Sequence, residues 1–274
     1  MIPKKIHFCW FSGEPYPESA QRCLESWQKF LPDFEFVKWN AEKAQATGIP
    51  WVLEALGQKK WAFAADAVRL YALYNEGGFY LDTDVEVLRP LDPLLDRPNA
   101  FGYENGSRRI EAAAMGCEAG CEPIKAALEF YMNAHFEYRE AGVDDMVLPK
   151  ILADTFAAFP EVEILPESAF SPKSYIDGKI RTTDDTYCIH HFDSAWRPES
   201  VRKGIRRRQK LFATFPRPIA KALSLPLSLW TNLATLGVRG TLKKIFRLPL
   251  EQKARNEELG EALEERERER PELR

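Results

Sequence analysis

The sequence predicts an α/β protein, a mixed and mostly parallel sheet flanked by helices, ending in a basic, mainly helical extension. Three observations predict it. Strand-like apolar runs alternate with helical stretches over the first 200 residues. Apolar residues make up 45% of the 274-residue chain and aromatics 12%, which suits a sizeable core. Charge is unevenly placed: residues 1–200 carry a net −12, residues 201–250 hold twelve Lys/Arg and no acid, and residues 251–274 carry a net −3. The change near residue 200 divides an expected body, 1–198, from an extension, 199–274.

The elements follow in order. Ile6 to Phe11 is apolar enough for a strand buried on both faces, and His7 within it is read as structural. Ser19 to Phe30 places Leu24, Trp27 and Phe30 at helical spacing, and Phe34 to Trp39 reads as a second strand. Trp61 to Glu76 is the clearest helix, ended by Gly77-Gly78. Phe79 to Leu88 reads as one strand, Ala100 to Tyr103 as a short one and Tyr187 to His191 as a late one. Helices are expected over 121–136 and 146–159. Glu251 to Arg274 has i,i+4 acid–base pairs that suit an exposed helix.

The five cysteines, Cys9, Cys23, Cys117, Cys121 and Cys188, are odd in number and contain no C-x-x-C pair, so reduced thiols are expected. The chain enters a strand-like run directly after Met1, and no apolar run reaches the roughly 18–20 residues that cross a bilayer. These features lead to the expectation of a cytoplasmic protein, peripheral on the inner face of the cell membrane.

Asp82 and Asp84 are the candidates to carry the chemistry, although a D-x-D alone also occurs by chance on solvated strands and turns. Two carboxylates two residues apart share one side of an extended segment, and a pair that close repels unless a cation intervenes. Mg²⁺ or Mn²⁺ held by such carboxylates together with phosphate oxygens is the usual arrangement, and open α/β sheets collect ligands at the carboxyl ends of their strands. The preceding helix is apolar except for Asp66 and Arg69, three residues apart on one face, which reads either as an intrahelical ion pair or as a pair aimed into a cleft.

Three ordered motifs resemble a known family. Ile2 to Trp10 looks like its opening strand, Ala65 to Leu70 with Gly77 to Asp84 like its central signature, and His190 to Trp196 like its closing motif. The family is the DXD-containing sugar transferases, glycosyltransferase family 32, which includes capsular-polysaccharide enzymes and yeast α-1,6-mannosyltransferases; its catalytic site is related to that of the clostridial glucosylating toxins. The resemblance implies a GT-A-like nucleotide-sugar-binding fold, a UDP-sugar or GDP-sugar donor, Mn²⁺ or Mg²⁺, a retaining transfer, and a glycan or lipid-linked glycan acceptor in surface polysaccharide synthesis. It implies that Trp10 stacks on the nucleobase, that Asp66 and Arg69 grip the donor sugar, and that Tyr80 lies against the donor. Asp82 contacts ribose or sugar and reaches the metal through water, Asp84 binds the metal, and His191 lies near it. Ser194 and Trp196 belong to a loop that closes over the diphosphate.

Bland readings stand beside these. Trp10 also suits a core position, and Tyr80 suits packing beside Leu81. His190 and His191 point to opposite faces of an extended strand, so one at most reaches the metal; His191 is preferred because its side matches Asp193. Glu104 and Asn105 are candidates for facing the sugar, and Asp144-Asp145 are read as a helix cap before an acceptor contact. For residues 201–250, an anionic membrane surface ranks first, simple packing on the body second and nucleic acid last, because the acidic body repels it. The rival functions are a metal-dependent nucleotide-diphosphate phosphohydrolase and a non-catalytic carbohydrate- or membrane-binding module.

Overall fold

A computed structural model describes residues 1–107, 109–138, 146–194 and 197–226, with isolated positions up to 241. The expected Asp144-Asp145 cap, Trp196 and the helix over 251–274 lie outside the described residues. Strand β1 (Lys5–Cys9) runs parallel to β2 (Glu35–Trp39) on one side and to β3 (Gly78–Leu81) on the other. The sheet continues through β6 (Ala114–Cys117), β5 (Asn99–Gly102) and β7 (Ile164–Leu165), in the order β2-β1-β3-β6-β5-β7. The pairs β3·β6 and β5·β6 are antiparallel and the other three are parallel, so the sheet is mixed and mostly parallel, as expected.

Helices cover both faces. On one side α1 (Glu18–Phe30) lays Trp27 against Phe8, and Leu31, Phe34, Phe79 and Leu81 complete that core. On the other, α3 (Pro50–Gly57), α4 (Trp61–Glu76), α5 (Glu122–Asn133) and α6 (Leu148–Phe156) bury Trp51, Phe63, Leu70, Leu128 and Leu152. Between β2 and α3 lies the short α2 (Ala41–Gln45), capped by the Asn40 side chain, which accepts from Lys43 N at 2.8 Å. The sequence periodicity did not reveal α2, α3, β6 or β7. The first two are short, and β6 and β7 are too brief to show a period.

Two features position the site. The first is the passage from α4 into β3 through Gly77 (φ +64°) and Gly78 (φ +98°). A Cβ on Gly78 would stand 2.8 Å from Lys5 O, and one on Gly77 would stand 2.7 Å from Ala119 N, so neither place admits a side chain. His7 locks the same crossing: its Nε2 donates to Gly77 O at 3.0 Å and its Nδ1 accepts from Trp39 Nε1 at 3.3 Å. This is the structural role expected of it.

The second feature corrects the sequence reading. Residues 79–88 are not one strand. After β3, Asp82 N donates to Ala113 O at 2.8 Å, and the chain turns, with Val85 N donating to Asp82 O at 2.9 Å. It then re-forms as β4 (Val85–Val87), which pairs antiparallel with β8 (Cys188–His190) in a separate two-stranded sheet. Asp82 and Asp84 therefore flank a turn at the carboxyl end of β3 and do not share an extended strand.

Candidate active site

The site is built outward from Arg69. The guanidinium is 4% exposed and uses all three nitrogens: Nη2 lies 3.1 Å from Asp66 Oδ1, Nη1 lies 3.2 Å from Asp82 Oδ2 and donates to Ala112 O at 2.6 Å, and Nε donates to Ala65 O at 3.3 Å. Its plane also covers the Tyr80 ring at 4.5 Å, and the Tyr80 hydroxyl donates to Asp82 Oδ1 at 2.9 Å. Both oxygens of Asp82 are thus held.

Tyr80 is fully buried, because β3 turns it inward onto Arg69, and its hydroxyl meets Asp82. Arg69 likewise is enclosed by its partners Asp66 and Asp82. Of the pair on α4, Asp66 keeps 14% of its side chain exposed. Burial pushes the Asp66 carboxyl up to about 7, with Arg69 opposing. Burial also raises Asp82, Arg69 again opposing and the negative charge of Asp84 adding to the rise.

Asp84 is held from the other side. Its Oδ2 accepts from Asp193 N at 2.9 Å and lies 3.6 Å from His190 Nε2. Burial works against its ionisation, but the charge and hydrogen bonding of His190 outweigh it and hold the carboxyl at about 2. The imidazole beside Asp84 is therefore that of His190. His191, the expected neighbour, turns its ring to Glu86, with Nε2 2.9 Å from Oε2, and gives only its backbone N–H to Asp84 O at 3.0 Å. The reason is the pairing of β8 with β4, which sets His190 opposite Val85; strand alternation then sends the next side chain to the far face.

Two residues behind His190 escaped the sequence reading. Glu111 is 1% exposed, and its Oε1 lies 3.0 Å from His190 Nδ1 without the alignment of a hydrogen bond. Lys173 donates to His191 O, and burial lowers its ammonium while Asp193 and Asp84 oppose. One signal for Glu111 was legible: it is the lone charge in the run Ile110 to Cys117. Glu104, a sequence candidate, sits in the same neighbourhood, its carboxyl raised by burial and by the charge of Glu111.

The remaining candidates lie at the rim. Trp10 is half-buried, its Nε1 donating to Glu14 O at 2.7 Å and its ring 4.7 Å from that of Tyr16, so it is not a core residue. Ser194 is half-buried in the loop after β8, where it and Phe192 take left-handed backbone angles, φ 48° and 53°. The Asp193 N–H pins this loop to Asp84.

Among the described residues, no three His, Cys, Asp or Glu side chains are gathered to hold a metal ion unaided. The donor set nevertheless fits a hard divalent cation that brings phosphate oxygens of its own. Asp82 and Asp84 are oxygen ligands whose mutual repulsion a cation relieves, with the His190 imidazole beside Asp84.

The comparison with known families falls on the same segment. Residues 17–101 match the glycosyltransferase sugar-binding region containing DXD motif. The DXD region includes α4, the glycine crossing and the Asp82–Asp84 turn. Inositol phosphoceramide mannosyltransferase 3 of Schizosaccharomyces pombe is 35% identical over 145 residues, 50% of this chain and 40% of its own length. Mannosyl phosphorylinositol ceramide synthase SUR1 of Saccharomyces cerevisiae is 34% identical over 123 residues, 42% of this chain and 31% of its own length. The chain thus spans less than half of either relative. Among solved structures, the PaToxG glycosyltransferase aligns with a TM-score of 0.46 at 13% identity, over 58% of this chain and 70% of that one.

Proposed function

We propose that the protein is a metal-dependent glycosyltransferase that moves a sugar from a nucleotide-sugar donor to a glycan or lipid-linked glycan acceptor, with retention of configuration. One observation carries the reading. Within the DXD sugar-binding region, buried Arg69 and Tyr80 tie half-buried Asp66 and Asp82 into one bonded unit that ends at the Asp82–Asp84 turn. A plain intrahelical ion pair would have no need to reach Asp82.

Asp82 and Asp84 would hold Mn²⁺ or Mg²⁺, with His190 beside Asp84. Such an ion supplies charge neutralisation for a departing diphosphate. The chain's own residues do the rest. Asp66, aimed by Arg69, meets the donor sugar and fixes it in reacting geometry. Trp10 receives the base at the rim. The loop bearing Ser194, fastened to Asp84 through Asp193, covers the diphosphate and excludes water. Retention without a covalent intermediate needs no strong base, because the acceptor hydroxyl passes its proton towards the departing phosphate. A cleft of about 380 Å³, lined by Asn105, Ser168, Ser174, Asp177, Phe212 and Arg217 and by none of Asp66, Asp82, Asp84 or His190, would offer a remote part of the acceptor hydrogen-bonding groups.

The body, 1–198, would carry this chemistry, and the extension, 199–274, would rest on an anionic membrane. Helix α7 (Glu199–Thr214) buries none of its residues, and beyond it Phe215, Ile219 and Leu223 are exposed at four-residue spacing. No helix among the described residues is long and apolar enough to cross a membrane. Placement on the inner face of the cell membrane suits a lipid-linked acceptor, and the relatives are named for acting on a phosphoinositol ceramide. Co-sedimentation with anionic vesicles, lost on deletion of residues 201–274, is the expected result; equal recovery of both forms in the supernatant overturns it.

The test of the activity is a thermal-shift screen with Mn²⁺ and uridine- and guanosine-linked sugars, mannose included because the relatives are mannosyltransferases by name. The correct donor raises Tm through preferential binding to the native state, and Asp84→Ala removes the Mn²⁺-dependent part of the rise. A purified Asp84→Ala protein with normal turnover defeats the assignment. Release of nucleoside monophosphate without sugar release makes the protein a phosphohydrolase instead, and no binding of either nucleoside diphosphate makes it a non-catalytic module.

A further inference from the structure

The tripeptide Glu111-Ala112-Ala113 touches each part of the site. Ala112 O accepts from Arg69 Nη1 at 2.6 Å, Ala113 O accepts from Asp82 N at 2.8 Å, and the Glu111 carboxylate stands 3.0 Å from His190 Nδ1. Its own placement is fixed twice: Glu111 N donates to Gly102 O at 2.8 Å, and Ala113 N donates to Glu111 Oε1 at 2.9 Å. The other carboxylate oxygen, Oε2, is buried without a hydrogen-bond partner, and so is His190 Nδ1. A buried carboxylate set 3.0 Å from a buried imidazole nitrogen is a charge pairing that packing alone does not require. The ring otherwise meets Asp84 and the Phe192 ring, 3.9 Å between centroids, and β8 is three residues long and ends at His190, directly before a loop with left-handed angles at Phe192 and Ser194.

We infer that Glu111 is a positioning residue, holding the His190 imidazole against Asp84 from inside the sheet. The inference rests on the glycosyl-transfer reading above, in which Asp84 and His190 lie at a divalent cation. Partners behind a metal-side imidazole fix its orientation, and their loss typically lowers metal affinity about 10- to 100-fold. Glu111 reaches the cation only through His190, and it stands on the strand β6 side of the site.

The experiment measures Mn²⁺ binding by electron paramagnetic resonance in the presence of UDP or GDP, without turnover, alongside Tm. Glu111→Gln keeps the side-chain volume and is expected to keep Tm while Mn²⁺ affinity falls about 10- to 100-fold. Glu111→Asp, whose charge stands one methylene further from the ring, falls between the two. In a His190→Ala background the Glu111→Gln change adds nothing, since the two side chains act as one. Affinity within twofold of wild type in Glu111→Gln, or an equal loss in the His190→Ala background, overturns the inference and leaves the glycosyl-transfer reading standing. A wild-type protein that binds no Mn²⁺ with either nucleoside diphosphate overturns both.

Discussion

On the α4–β3 flank of the site, Arg69 spends all three of its nitrogens on partners and both oxygens of Asp82 are bonded. On the β4–β8 flank, two residues further along the chain, Asp84 leans on an imidazole 3.6 Å away, behind which Glu111 Oε2 and His190 Nδ1 lack hydrogen-bond partners. The first flank is continuous with the main sheet and the larger core; the second hangs on a two-stranded ribbon and a loop with left-handed angles. The difference teaches where rigidity is needed. On the proposed glycosyl-transfer reading, a donor sugar would need fixing in angle and distance, whereas a cation and a covering loop would come and go, and elements that open are drawn from the less stable parts of a fold.

Mutations break or sharpen this contrast. The largest effect is expected from Arg69→Ala, which strands Asp66 and Asp82 as buried acids. Loss of one partner from a buried ion pair costs about 3–5 kcal/mol, so urea unfolding should find the variant close to unfolded, whereas His190→Ala on the other flank, where backbone N–H groups still hold Glu111 and Asp84, loses less and keeps a cooperative transition. Equal stability losses on both flanks would erase the distinction.

Next is Asp84→Asn, expected to lower transfer and hydrolysis of a nucleotide sugar on the order of a thousandfold while Tm stays near that of wild type; coupled-assay turnover and a melting curve decide it.

Asp66→Asn gives a pH signature. The folded-state pKa of Asp66 is raised to about 7 by burial, so its stabilising contribution is complete below the unfolded carboxylate range and fades as pH rises through about 7. The asparagine variant should therefore gain on wild type by about 1–3 kcal/mol between pH 5 and pH 8 in urea unfolding, while losing donor turnover. A stability difference that is the same at both pH values removes the buried charge from the account.

The smallest effect is that of Trp10→Ala at the rim, where loss of base stacking weakens nucleoside diphosphate binding about tenfold with Tm unchanged. Calorimetric titration with UDP and GDP measures it.

Much of this was legible in the sequence because it lies in contiguous motifs. Ala65 to Leu70 and Gly77 to Asp84 gave the helix, the crossing and the carboxylates, and the apolar run around His7 gave the central strand. What escaped depends on pairing across the chain. The turn between β3 and β4 follows from Asp82 bonding to Ala113, a partner that residues 79–88 do not name. The choice between His190 and His191 follows from the register of β8 on β4, which flips every side chain when shifted by one. Glu111 stood out only as a charge in an apolar run, and its meaning came from a neighbour 79 positions later, His190. The enclosure of Tyr80 and Arg69 was likewise invisible until α4 was laid against β3.

The glycine pair ahead of the carboxylates has a further consequence. What keeps β3 beside β1 is the absence of two methyl groups, since either one would collide with main-chain atoms of Lys5 or Ala119. Adding a carbon at Gly77 or Gly78 would wedge the neighbouring backbones apart, and Tyr80, Asp82 and the turn beyond would ride outward with the displaced strand. The spacing between acid and guanidinium is thereby set several residues upstream of either, by empty space that the fold leaves no room to fill.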